Sequence, residues 1–153
     1  MLIFLENQLR EACFPEIQET KKEKKLSARE LRDTNFSWAL KNLRGKCFLN
    51  KSIGETIVIS RDGLGEWKTT TKSKDQALSI KILGQLLENA VYHNKKPHIP
   101  PDSNIKEVLY FRHDCKINGN MYTAVITVKV YKSENRHKYY HHFLDDFILD
   151  TKK

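Results

Sequence analysis

The stretch KINGNMYTAVITVKVY, residues 116–131, holds two extended segments around an Asn118-Gly119 pair. Both central positions of a tight two-residue hairpin turn need positive φ, and Asn-Gly meets that need with little strain. The segment after the turn alternates strictly. Tyr122, Ala124, Ile126, Val128 and Val130 fall on one side, and Thr123, Val125, Thr127, Lys129 and Tyr131 on the other. Counting outward from the turn sets a register in which Cys115 faces Tyr122, His113 faces Ala124, Phe111 faces Ile126 and Leu109 faces Val128. On the opposite face Asp114 meets Thr123, Arg112 meets Val125, Tyr110 meets Thr127 and Val108 meets Lys129. The first face is built for burial under helices. The second is mixed and basic, and is expected to stay open, as one face of an antiparallel sheet commonly does.

KYYHHFLDDFIL (138–149) continues the pattern as a third strand, closing a meander that runs from Ile105 to Leu149. If SENR (133–136) is the loop, Tyr140 pairs with Lys129 and His142 with Thr127 on the open face, and His141 turns inward. A loop one residue longer reverses that choice. Either histidine is therefore a candidate for the exposed one.

Upstream, SARE (27–30) is a capping box that starts a helix burying Leu31, Trp38, Ala39 and Leu43, and Gly45 ends it. CFLNKSIGETIVIS (47–60) reads as a short hairpin with Ile57 and Ile59 on one face, and RDGLGEW (61–67) as a loop. A second helix opens with Ser73 and Gln76 at capping-box spacing. Its apolar stripe is Leu78, Ile82, Leu86 and Ala90, joined by Leu83, Leu87 and Val91. HNKKPHIPPDSN (93–104) reads as a loop, because its prolines forbid a helix or an interior strand. Residues 1–14 show amphipathic spacing at Leu2, Leu5, Leu9 and Cys13 before Pro15, and KKEKK (21–25) is a charged link. The predicted organisation is a helical extension and linker over residues 1–25 and one α+β domain over residues 26–153. That domain has a twisted antiparallel sheet, formed by a three-stranded meander plus a short N-terminal hairpin, with two helices on one face.

At 153 residues the chain has length for one ordinary core. Its formal net charge of +8 favours polyanionic partners, nucleic acid first. Cys13, Cys47 and Cys115 are odd in number and have no CxxC spacing, which argues against a disulfide framework or a cysteine zinc site and suits a reducing compartment. No run approaches the roughly 18 apolar residues of a membrane span, and MLIFLENQLREACF makes a poor signal peptide. The cytoplasm is the expected location, with no membrane partner. The six histidines lack metal-ligand spacing, and no cofactor motif is present.

An open sheet face bearing Arg, Lys, Tyr, Thr and His suits phosphate chemistry. Arg112 and Lys129 are candidates to neutralise a phosphodiester and its transition state. His142 or His141 is the candidate acid or base, with Tyr140 and Thr127 positioning substrate. Tyr110 is a candidate stacking surface for an unpaired base, and Lys72, Lys74 and Lys81 are candidate RNA contacts. RNA carries its own nucleophile, so no metal is required. Each residue also has a plainer reading: solvated charges on strands and around a helix start, and His113 as a core histidine.

WALKNLRGKCFLNKSIGETIVIS resembles the opening of a domain found in large polyvalent proteins of phages and conjugative elements, through Trp38, Asn42, Gly45, Asn50, Gly54, Ile57 and Ser60. KINGNMYTAVITVKV resembles the hairpin of that domain through Ile117, Gly119, Tyr122, Thr127 and Lys129, and Tyr140 and Leu149 match its closing strand. The resemblance runs over about residues 36–149. It implies the fold of small metal-independent ribonucleases of the barnase, EndoU, colicin and RelE-like group, with RNA on the open face. The leading reading is an RNA-cleaving nuclease or toxin acting without metal, with RNA and a cognate inhibitor or immunity protein as candidate partners. Two positions depart from the pattern. Gln76 stands where a histidine often opens the second helix, with His142 offered as the replacement imidazole, and Val125 stands where a lysine is often found. The runner-up is a non-catalytic binding module of a mobile-element protein.

Overall fold

In the computed structural model, which describes residues 14–97 and 104–146, Asn118 and Gly119 both take positive φ, 52° and 80°. The turn joins strands β5 (Ile105–Ile117) and β6 (Asn120–Tyr131), and all eight cross-strand pairs expected from counting are present. Strand β7 (His137–Asp146) continues the meander. The N-terminal hairpin forms as β2 (Cys47–Asn50) and β3 (Glu55–Ile59), with Ile57 and Ile59 fully buried. β3 runs parallel to β7, so hairpin and meander belong to one sheet.

That sheet is larger than expected. β4 (Val91–Pro97) pairs antiparallel with β5 over Val91–Arg112 to Pro97–Glu107, where a loop was predicted. It occupies an edge, where a proline at the strand end breaks no interior ladder. Tyr92 turns inward against the core while Val91, assigned to a helix stripe from sequence, stands 61% exposed. β1 (Glu16–Ile17) pairs parallel with the end of β5, giving a mixed seven-stranded sheet in the order β1-β5-β6-β7-β3-β2, with β4 also on β5. The charged link at 21–25 is mostly a short helix, α1 (Lys21–Lys24), with a capping box between Thr20 and Glu23. Residues 1–13 and Leu149, to which sequence patterns were assigned, lie outside the described residues.

The core-side helices follow from caps and stripes. Ser27 and Glu30 form the expected capping box at the start of α2 (Ala28–Asn42). Its inward row is Leu31, Asn35 and Ala39; Asn35, not Trp38, takes the buried place and donates to the Ala77 carbonyl at 2.8 Å. Ser73 caps α4 (Lys74–Ser79), which passes through a 3-10 turn (Ile80–Ile82) into α5 (Leu83–Asn89). One periodic stripe from sequence is thus a bent pair of helices, and Leu78, Ile82, Leu86 and Ala90 are all buried. No helix of the described residues is long and apolar enough to cross a membrane.

The segment RDGLGEW is a helix, not a loop. α3 (Arg61–Thr70) is capped by Ser60, whose hydroxyl accepts from the Gly63 amide at 3.3 Å, and it buries Leu64 and Trp67. Its two glycines hide it from a propensity reading. Gly63 is required by packing: a Cβ there would lie 2.1 Å from the Tyr139 carbonyl oxygen on β7. The helix therefore rides directly on that strand.

Candidate functional site

The face of β7 is decided by a bulge. Near the turn Val130 pairs with His137, Lys129 with Lys138 and Val128 with Tyr139; beyond it Thr127 pairs with His141 and Ile126 with His142. Tyr140 is the extra residue. It inverts the alternation, so that His141 and Phe143 are outward in the half that contains Thr127 and Val125. Sequence counting that put His142 beside Thr127 is corrected here: no loop-length rule includes a bulge in mid-strand.

His142 is fully buried. Its Nε2 lies 2.7 Å from Ser79 Oγ and its Nδ1 2.7 Å from Tyr139 Oη. The Ser79 hydroxyl already donates to the Gln76 carbonyl at 2.6 Å, so Nε2 carries the proton and donates to Ser79, and Nδ1 accepts from Tyr139. Burial pushes the His142 pKa down to about 3, with His141 adding to the effect. A neutral, fully bonded imidazole in the core is a structural group. Gln76 completes it: its side chain donates to the His142 carbonyl at 2.7 Å and accepts from the Leu144 amide at 3.0 Å. Its amide takes the Ser73 cap, but its side chain is spent on β7, not on a capping box.

On the open side the bulge gathers a cluster. Lys129 Nζ stands 3.5 Å over the centre of the Tyr140 ring, and Tyr140 meets His141 edge-on at 4.9 Å. Glu66 of α3 lies near the Tyr140 hydroxyl; burial first, then that carboxylate, raises the phenol's pKa. Burial lowers the Lys129 pKa, opposed by Glu66 and Asp62. Burial likewise lowers His141, with Glu66 opposing and Lys129 assisting, and its Nδ1 is enclosed without a hydrogen-bond partner. The imidazole is thereby biased to the neutral, proton-accepting form. Thr127 lies between the Tyr110 and His141 strand positions and is 4% exposed.

Glu66 and Asp62 were not legible as site residues, because the segment bearing them reads as a loop. The signal that was available is Ser60 followed by Asp62, an acid in the first turn of a capped helix.

The other sequence candidates divide. Tyr110 is on the open face, with Lys96 Nζ 5.8 Å from its ring centre. Arg112 shares that face but sits four residues further along the ladder than Lys129, about 13 Å at the usual strand rise. It lines a hollow with Val91, His113, Asp114, Thr123, Asp145 and Asp146, so Arg112 and Lys129 do not clamp one phosphate. His113 points inward as expected, and burial lowers its pKa against the pull of Asp114. Lys72, Lys74 and Lys81 lie on the helix side. Lys74 Nζ is 3.3 Å from Glu19 and 3.2 Å from the Lys24 carbonyl, Lys81 Nζ is 4.1 Å over Trp38, and Lys72 lies beside Arg29 and Arg32. Helix-side positions cannot serve an open-face RNA site.

The family model described as large polyvalent protein-associated domain 3 matches residues 27–140, and the chain belongs to that family. No curated protein and no solved structure matches it.

Proposed function

We infer that this family member is a metal-independent endoribonuclease that works on the open sheet face, in the cytoplasm where RNA is abundant. The observation that carries the reading is the convergence of Lys129, Tyr140, His141 and Glu66 at the β7 bulge. His141, held neutral by burial, accepts the proton of a ribose 2′-hydroxyl. The 2′-oxygen attacks the adjacent phosphorus, and the bond to the 5′-oxygen breaks. Lys129 stabilises the added negative charge, and burial makes its ammonium a readier proton donor to the departing oxygen. The products are a 2′,3′-cyclic phosphate and a free 5′-hydroxyl. The Glu66 carboxylate lies close to both the phenol and the lysine, and the likeness to barnase-type and RelE-like ribonucleases belongs to this reading.

The test is incubation of the protein with total RNA in EDTA. Cleavage with cyclic phosphate ends is expected, together with toxicity on expression in a bacterium. Lys129→Ala and His141→Ala should each slow cleavage by at least about a hundredfold. Intact RNA sinks the reading.

One observation favours the runner-up, a binding module. The open face carries a single imidazole of the pair, and part of that ring is enclosed. Tight binding of RNA that stays whole, weakening steeply with salt, would mark that case.

A further inference from the structure

Three lysines stand over three tyrosine rings on the open side of the sheet. Lys129 Nζ is 3.5 Å from the Tyr140 ring centre, Lys138 Nζ 4.6 Å from Tyr131, and Lys96 Nζ 5.8 Å from Tyr110. Register places them on one side: Lys96 opposite Val108, Tyr110 opposite Thr127, Lys138 opposite Lys129, with Tyr131 two residues further on. They span three adjacent strands and the β4 edge.

An ammonium on an exposed aromatic face contributes only about 0.5–1 kcal/mol, whereas a stacked base contributes about 1–3 kcal/mol. A base therefore displaces the lysine from its ring. The displaced ammonium is left within a side chain's length of the same nucleotide's phosphate. The opposite end of the face is less suited to a polyanion, because Asp114, Asp145 and Asp146 line the same hollow as Arg112 there.

We propose that the open face binds single-stranded RNA, with Tyr110, Tyr140 and Tyr131 as base platforms and Lys96, Lys129 and Lys138 as their displaceable phosphate partners. This rests on the RNA-directed reading above and names its substrate as the unpaired strand. A duplex hides the faces of its bases against one another, so it offers these rings nothing. The track ends short of Arg112.

The test uses a short 2′-O-methyl oligoribonucleotide, which cannot be cleaved, in a fluorescence anisotropy titration. The same strand is titrated annealed to its complement and with abasic positions. The single strand is expected to bind about tenfold more tightly than either alternative. Tyr110→Leu and Tyr131→Leu should each weaken binding about tenfold, and the phenylalanine variants should hold within about twofold. Lys96→Gln and Lys138→Gln should each reduce the salt slope by about one. Equal binding of duplex or abasic strand, no effect of the leucine variants, or no binding of any oligomer overturns the proposal. Cleavage of the 2′-hydroxyl strand is scored separately. Ring-dependent binding without cleavage retains this inference and sinks the nuclease reading; cleavage that ignores the rings does the reverse.

Discussion

His141 and His142 are neighbours in sequence and opposites in environment. His142 faces α4, has both nitrogens bonded and is fully buried; His141 faces the open side beside Lys129 and Glu66, with one nitrogen unbonded. The difference is made by one residue of bulge, because a strand alternates and an insertion exchanges its faces. The covered face uses its polar groups to lock helix to strand. The open face groups Lys129, Tyr140 and His141 without such a lock.

That contrast is broken most directly by exchanging the cost of losing each ring. His142→Ala strands the Tyr139 hydroxyl in the core, takes away the donor to Ser79 and is expected to lower stability by about 3 kcal/mol in urea unfolding. His141→Ala should change stability by less than about 1 kcal/mol while removing activity. Equal stability losses would refute the division of roles.

Acid sharpens the same contrast. The folded pKa of His142 is depressed to about 3 from an ordinary 6.5, so folding favours the neutral ring. Its contribution is complete above about pH 6.5 and fades as pH falls toward 3. Between pH 7 and pH 5 the wild type should lose about 2 kcal/mol through this group. The stability gap between wild type and His142→Gln should narrow by that amount over the same interval; a constant gap contradicts the assignment.

Gly63 links the two faces. Its missing Cβ lets α3 sit on β7 and carry Glu66 to Tyr140. Gly63→Ala should cost about 1–3 kcal/mol of stability by overpacking. It should also reduce cleavage at saturating substrate, while Gly65→Ala, with open space around its Cβ, does neither. The smallest effect is expected on the helix side: Lys81→Ala and Lys72→Ala should shift RNA affinity by less than about twofold, since neither cation reaches the open face.

Legibility followed the range of the forces involved. The hairpin register needed only the Asn118-Gly119 turn and period-two alternation, both local, and every expected pair formed. The Ser27 cap and the Leu78-to-Ala90 stripe were legible for the same reason. β4 escaped because proline content argues about interior strands and is silent on an edge. α3 escaped because Gly63 answers a contact with Tyr139 that is distant in sequence. Face sorting placed Lys129, Thr127 and Tyr110 on the open side, whereas Tyr140 reaches it as the bulge residue, with Lys138 and not Tyr140 paired to Lys129, and Glu66 was not legible.

By itself the sequence determined that residues 105–131 form a two-faced ribbon, greasy below and cationic above, because turn chemistry and alternation act between near neighbours. Only the tertiary structure decided which imidazole joins the cationic side and which carboxylate meets it there. Both depend on a mid-strand bulge and on a helix docked by the absence of one methyl group, and each is a packing solution between segments far apart in the chain.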